Sequence, residues 1–154
     1  MARGDFAFHH CFRVRWSETD AQGVVFNARY LDYADIAVTE YWRAVKFRDY
    51  ADGAPMEFHV KKATVTWFAP IKPDEMIAVM ARTIATGRTS MTQLVEIHGL
   101  TEDGSDDLRA TVDLVSVHVD LDEHRPIPLP DWVKDVFTAF DSQATNMPLA
   151  QAEA

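Results

Sequence analysis

The stretch ETDAQGVVFNARYLDYADIAVTEYW, residues 18–42, changes character halfway along its length. Its first part is a turn-prone loop in which one carboxylate, Asp20, precedes a glycine, Gly23. Its second part places Tyr30, Tyr33, Ala34, Ala37, Val38 and Tyr41, and then Val45, at i, i+3, i+4 and i+7 spacing. Asp32, Asp35, Thr39 and Arg43 fall on the opposite side. That periodicity predicts an amphipathic helix of about five turns over residues 28–45, with one buried stripe. Asn27 is the natural N-cap, because its side chain can accept from a free first-turn amide.

Most of the remaining chain reads as strand. Residues 59–68 (HVKKATVTWF) stop at Pro70 and Pro73, residues 75–85 (EMIAVMARTIA) end at TGR, and residues 89–100 (TSMTQLVEIHGL) end at TEDGSDD. Residues 108–120 (LRATVDLVSVHVD) follow, and residues 9–16 (HHCFRVRW) supply a strand before the helix. Short turns containing Gly or Asp join the last three strands, which predicts an antiparallel meander. A second helix, PDWVKDVFTAF, carries Trp132, Val133, Val136, Phe137 and Phe140 toward one side. The expected class is α+β: a single domain over residues 1–141, a five-stranded antiparallel sheet with one long helix across a face, and a short C-terminal helix. Residues 142–154 read as a flexible tail. In residues 75–85, Ile77, Val79 and Ala81 occupy one face while Met76, Ala78 and Met80 occupy the other. A strand apolar on both faces predicts a second cover, expected from another subunit.

Composition narrows the function. The chain has 154 residues, 47% apolar and 25% charged, enough for one domain with a real core. Its net charge of −9, without a long basic run, disfavours nucleic-acid binding, which leans on phosphate neutralisation. No run reaches the ~18 apolar residues of a membrane span, and the opening residues lack a secretory h-region. Cys11 is the single cysteine, so no internal disulfide forms, and a cytoplasmic location is expected.

Several site types are missing from the pattern: there is no phosphate-binding glycine loop, no GxSxG elbow and no HExxH. His9 and His10 are adjacent rather than at ligand spacing, and His59, His98 and His118 sit singly on strands, so no metal site is expected. Cys11 beside Phe12 reads as a buried, inert thiol. The Asp20 loop remains. Ser17, Thr19 and Asp20 are common turn residues and Gly23 suits a φ > 0 bend. Asp20 is nevertheless too far from Asn27 to be the cap, and Val24, Val25 and Phe26 need burial. An apolar wall beside a carboxylate at a helix start makes a pocket, in which first-turn amides can hold a developing oxyanion.

These residues carry a resemblance. DAQGVVFNARYL (residues 20–31) is similar to the signature of hotdog-fold acyl-CoA thioesterases of the 4-hydroxybenzoyl-CoA thioesterase type, including the Tol–Pal-associated and long-chain branches. Asp20, Gly23, Val25, Asn27, Tyr30 and Leu31 match it. FAPIKPDEMIAV (residues 68–79) and GRTSM (residues 87–91) extend the likeness, so that it covers roughly residues 8–120. Val24 stands where many members carry His, and Asn27 stands at a variable position.

The resemblance implies a hotdog domain, its sheet wrapped around a central helix. It also implies an acyl-CoA thioesterase that releases a carboxylate and free coenzyme A and needs no cofactor. Asp20 would act as nucleophile or general base, with the backbone amide at Asn27 polarising the thioester carbonyl and Gly23 shaping the loop. Tyr30, Trp67, Arg88 and Ser90 are the expected substrate contacts, Arg88 and Ser90 (with Lys72 as a weaker donor) toward the anionic end of coenzyme A. Trp67 and Phe68 line the acyl pocket or pack beneath the helix. Relatives place the site between subunits, so a homodimer or a homotetramer built as a dimer of dimers is expected. Another hotdog branch carries its carboxylate inside the helix; the rough counterparts here, Asp35 and Glu40, read as solvated charges. Two alternatives stay open: a thioesterase acting on an acyl carrier protein, and a non-catalytic module that binds acyl or aromatic ligands. A hotdog dehydratase is disfavoured, because no His stands in the required motif.

Overall fold

The computed structural model describes residues 3–144. The expected tail lies outside the described residues from position 145 onward, while Ser142, Gln143 and Ala144 continue the last helical turn through backbone hydrogen bonds to Thr138, Phe140 and Asp141. The elements are β1 (Phe8–Arg13), α1 (Arg29–Val45), α2 (Phe47–Ala51), β2 (Glu57–Trp67), β3 (Met76–Thr86), β4 (Ser90–Gly99), β5 (Leu108–Asp120), β6 (Arg125–Pro126) and α3 (Asp131–Asp141).

All ladders are antiparallel, in the order β1-β3-β4-β5-β2, and the two-residue β6 adds to β5. The predicted meander is β3-β4-β5. The expected five strands are all present, and β6, like the short α2, lies outside the sequence reading. Residues 59–68 do not join their neighbour in sequence, since β2 pairs with β5 at the far side of the sheet. Register shifts at Val60/Lys62, Thr83/Ala85 and Ile97/His98 bend the strands and curl the sheet. The concave face closes on α1, whose Tyr30, Tyr33, Ala34, Ala37, Tyr41 and Val45 are buried as the periodicity predicts. They meet Ile77, Val79, Val95, Ile97 and Val112, all fully buried in the same core.

The second face of β3 requires a correction. Ala78 and Met80 are fully buried within this one chain, packed with Phe6 and Cys11 and flanked by Met76 and Leu94. The N-terminal segment folds back over the outside of the sheet, with Arg3 donating to Asp106 and Ser105. The two-sided apolar strand is therefore explained without a second subunit. On the same outer side, His98 Nδ1 accepts the Asp107 N–H (3.1 Å), leaving its Nε2–H to donate to Glu96 (3.0 Å).

Asp141 ties α3 to the core, accepting from the Tyr41 hydroxyl at 2.9 Å and from the Thr83 N–H at 3.0 Å. Burial pushes its carboxyl above the ordinary value, against these two donors and the charge of Arg82. A raised folded value means that Asp141 contributes stability below the ordinary carboxylate range and loses it as pH climbs through the raised value. Asp141→Asn, neutral throughout, is thus expected to gain stability relative to wild type from weakly acidic to neutral pH. Urea midpoints measured across that range check this, and parallel curves for the two proteins would contradict it.

Candidate functional site

The strand directions define two ends of the sheet. β3 begins at Met76 beside Arg13, Gly99 pairs with Ile77, and Trp67 pairs with Ala110. The loop between β1 and α1, which carries Asp20, leaves from this end. Thr86, Ser90 and Glu57 lie at the opposite end.

The Asp20 loop is built by its own backbone. Asp20 N–H donates to the Val24 carbonyl (2.9 Å) and Gly23 N–H donates to the Asp20 carbonyl (3.0 Å). Gly23 has φ +76°, the left-handed bend expected of it. Val25, fully inside the core, anchors the far side of the turn by donating to the Ile71 carbonyl at 2.8 Å. The partly buried Asp20 side chain points one oxygen, Oδ1, at the Gln22 N–H (2.8 Å). Among the described residues, no hydrogen bond to Oδ2 occurs.

The helix start differs from expectation. The N-cap is Ala28, in right-handed conformation, with no side-chain cap; Asn27 is exposed. Winding begins earlier instead, because Phe26 N–H donates to the Glu18 carbonyl and Arg29 N–H to the Phe26 carbonyl (3.0 and 2.9 Å). As a result, the N–H groups of Asn27 and Ala28 have no acceptor among the described residues. They stand at the positive end of α1, a few residues from a carboxylate.

Glu18, a residue the sequence reading passed over, holds this arrangement. Its carboxylate accepts from the Arg15 N–H (2.8 Å) and the Tyr33 hydroxyl (3.1 Å). Burial and the adjacent Glu18 charge push the Tyr33 hydroxyl up, so it stays protonated and donates. A second carboxylate two positions before Asp20, at the end of the short 3-10 turn Trp16–Glu18, is the available signal.

Tyr30 and Trp67 do come together here, ring edge to ring face at 5.9 Å, with Tyr30 buried and Trp67 half-exposed. Burial raises the Tyr30 hydroxyl; among charges, Arg109 opposes that rise while Asp20 and Glu75 reinforce it. Trp16, Phe26, Leu31, Trp67 and Phe68 are all large and exposed, on segments that converge at this end. An apolar rim of this kind marks a binding or interface surface. From it a cleft of about 790 Å³ runs between α1 and β2, from Leu31 in the first helical turn to Lys46 and Phe47, lined by Val38, Trp42 and Phe58. Asp20 stands ahead of the cleft rather than in its wall. Glu40 pairs with Arg43, the outer-face role expected of it, whereas Asp35, though exposed, lines the cleft.

Arg88 and Ser90 are not brought to Asp20 within one chain. They sit at the β3–β4 turn, where the Arg88 carbonyl accepts the Leu129 N–H, a whole strand away: about 35 Å for the 11 residues of β3. Lys72, exposed in the loop after β2, is the expected cation found at the Asp20 end. Cys11 is buried and its thiol pushed up by burial, consistent with an inert role. Among the described residues no His, Cys, Asp and Glu cluster has metal-site geometry.

Residues 14–137 match the thioesterase-like superfamily over most of the chain. The chain belongs to that superfamily. This thioesterase-like chain is 29% identical over 143 residues to the acyl-CoA thioesterase YbgC of Haemophilus influenzae, covering 86% of this chain and 96% of that protein. A Thermus thermophilus thioesterase, solved with coenzyme A and zinc, superposes with a TM-score of 0.74 at 24% identity over 90% of this chain and 98% of the other. A 4-hydroxybenzoyl-CoA thioesterase variant, solved with 4-hydroxybenzoyl-CoA, gives 0.73 at 15% identity over 84% and 97%. At these identities the two structures establish the fold, which is the hotdog fold.

Proposed function

We propose that this hotdog-fold thioester hydrolase acts on an acyl-CoA, with Asp20 as the reacting carboxylate. The observation that carries the reading is the pairing of Asp20, one oxygen fixed by Gln22 and the other unengaged, with the uncapped amides of Asn27 and Ala28 at the start of α1. A thioester carbonyl between them is polarised by the amides. Either Asp20 attacks its carbon, expelling the thiolate and leaving a mixed anhydride that water opens, or Asp20 takes a proton from water as the hydroxide attacks. The thiolate is a good leaving group and takes up a proton from solvent. The acyl group then follows the apolar cleft from Leu31 toward Trp42.

The edge of β2 supports a dimer. Among the described residues this 11-residue strand pairs on one side only, with Val60 and Trp67 exposed on it and Phe68 exposed just beyond its end. Long apolar edges are templates for strand addition. Antiparallel pairing of β2 with its copy reverses the partner's sheet and brings its Arg88–Ser90 turn to the Asp20 end. That supports the expected contact to the anionic end of coenzyme A across the interface. Light scattering is expected to give a dimer or a dimer of dimers, reduced in order by Val60→Glu; a monomeric wild type would remove this arrangement. A reducing cytoplasm suits the single buried thiol. The activity test is thiol release from a panel of benzoyl-, short-, medium- and long-chain acyl-CoA substrates. Turnover of an acyl carrier protein thioester alone would move the assignment to that substrate, and binding without turnover would favour a ligand-binding module.

A further inference from the structure

We infer that Arg109 is a positioning residue for the Asp20 loop, an inference that rests on the proposed role of Asp20. Arg109, the second residue of β5, grips the loop between β2 and β3 from both of its ends. Its carbonyl accepts the N–H groups of Phe68 (2.8 Å) and Ala69 (3.1 Å). Its guanidinium donates to the Pro70 carbonyl (2.8 Å), pairs with Glu75 (2.9 Å) and holds Asp107 through two bonds of 3.1 and 2.8 Å. Asp107, Glu75 and the bonds they make keep the Arg109 charge fixed, and the side chain is only 15% exposed.

What the grip holds still is Ile71. Its side chain is fully buried, and its carbonyl accepts the Val25 N–H that anchors the catalytic turn. The adjacent residue, Val24, accepts the Asp20 N–H through its carbonyl. The Glu75 backbone carbonyl adds a second tie by accepting the Val14 N–H at 2.8 Å, where β1 leaves the sheet toward the same loop. Both ends of the segment that aims Asp20 are thus referred to one guanidinium. The fold makes room for it at Gly99: a Cβ there would lie inside contact distance of both Asp107 and Arg109. Lys cannot replace the fork, because a single ammonium does not span a carboxylate, a second carboxylate and a carbonyl together.

The test measures steady-state kinetics and amide hydrogen exchange on wild type, Arg109→Met, Arg109→Lys and Gly99→Ala. Displacement of the attacking group by a fraction of an ångström lowers the chemical step more than binding, so kcat is expected to fall about tenfold in Arg109→Met while KM stays within about twofold. Val25 and Asp20 amides exchange faster, and Arg109→Lys falls between Met and wild type. Gly99→Ala, which leaves every participant in place but crowds the guanidinium, is expected to reproduce both effects in smaller degree. Unchanged exchange at Val25 in folded Arg109→Met overturns the inference, as does a loss of rate explained wholly by unfolded protein. If wild type hydrolyses no acyl-CoA, the functional reading fails by itself and the exchange result still decides the role of Arg109.

Discussion

Asp20→Asn is expected to lower kcat toward acyl-CoA by about 100-fold or more, with KM and the folded structure little changed. Asn is nearly isosteric with Asp, and its side-chain oxygen can still accept the Gln22 N–H that fixes Oδ1 in wild type. The turn is otherwise closed by the backbone bonds of Asp20, Gly23 and Val25, which the substitution leaves alone. Only the charge and the basicity are lost. A positioned general base contributes about 10²–10⁴ in rate, and a lost nucleophile at least as much. Residual turnover would come from the amides at Asn27 and Ala28, since one such donor is worth about 3 kcal/mol of barrier. Thiol release from the preferred acyl-CoA gives the rate, and circular dichroism shows that the variant is folded. Equal rates in the two folded proteins would remove Asp20 from the reaction.

The second large effect concerns stability at the opposite end. Phe137→Ala is expected to destabilise the fold by about 3–5 kcal/mol, the range for emptying a fully buried aromatic site. Phe137 is completely buried, lies nearly parallel to Phe47 with centroids 5.6 Å apart, and touches Tyr41 at 5.4 Å and Trp42 at 5.5 Å. Those neighbours are large rings held by α1, α2 and the Asp141 bond to Tyr41, so they cannot slide into the void. For a chain of this size the loss corresponds to a fall in Tm of roughly 10 °C. Urea unfolding measures it directly. A change below about 1 kcal/mol would mean that the aromatic cluster closes over the gap.

Much of this architecture is visible in the residues themselves. The helix stripe from Tyr30 to Val45 and the β3-β4-β5 meander follow from periodicity and turn chemistry, which are local. Asp20 and Gly23 are legible because a bend and a carboxylate before a helix leave a pattern in adjacent positions. The strand order is not local: β2 reaches β5 by passing the helix, and nothing in HVKKATVTWF distinguishes that neighbour from β3. Asn27 does not cap α1 because it competes with a backbone route, through Glu18 and Phe26, that no propensity describes. Likeness to a family assigns Arg88 and Ser90 to the substrate, whereas the strand directions put them at the far end of a single chain. Ala78 and Met80 suggest a partner because Phe6, more than 70 residues earlier in the chain, gives no local sign of folding over them. Arg109 and Glu18 escaped notice because a charged residue on a strand or in a loop resembles a solvated one until its acceptors are known.

The separation of the two ends bears on how such a protein diversifies. Aromatic packing around Phe137 anchors α3 where α1 finishes, while Asp20 and the open amides lie where α1 begins. The cleft from Leu31 to Phe47 spans that distance along α1, about 21 Å for the 14 steps from Leu31 to Val45. Its wall residues, such as Val38, Thr39 and Met56, belong to neither the turn that aims the carboxylate nor the aromatic cluster. If the acyl group follows the proposed path, enlarging or shortening this wall is expected to change acyl preference before it changes reactivity, which makes these positions the natural library for redesigning substrate range.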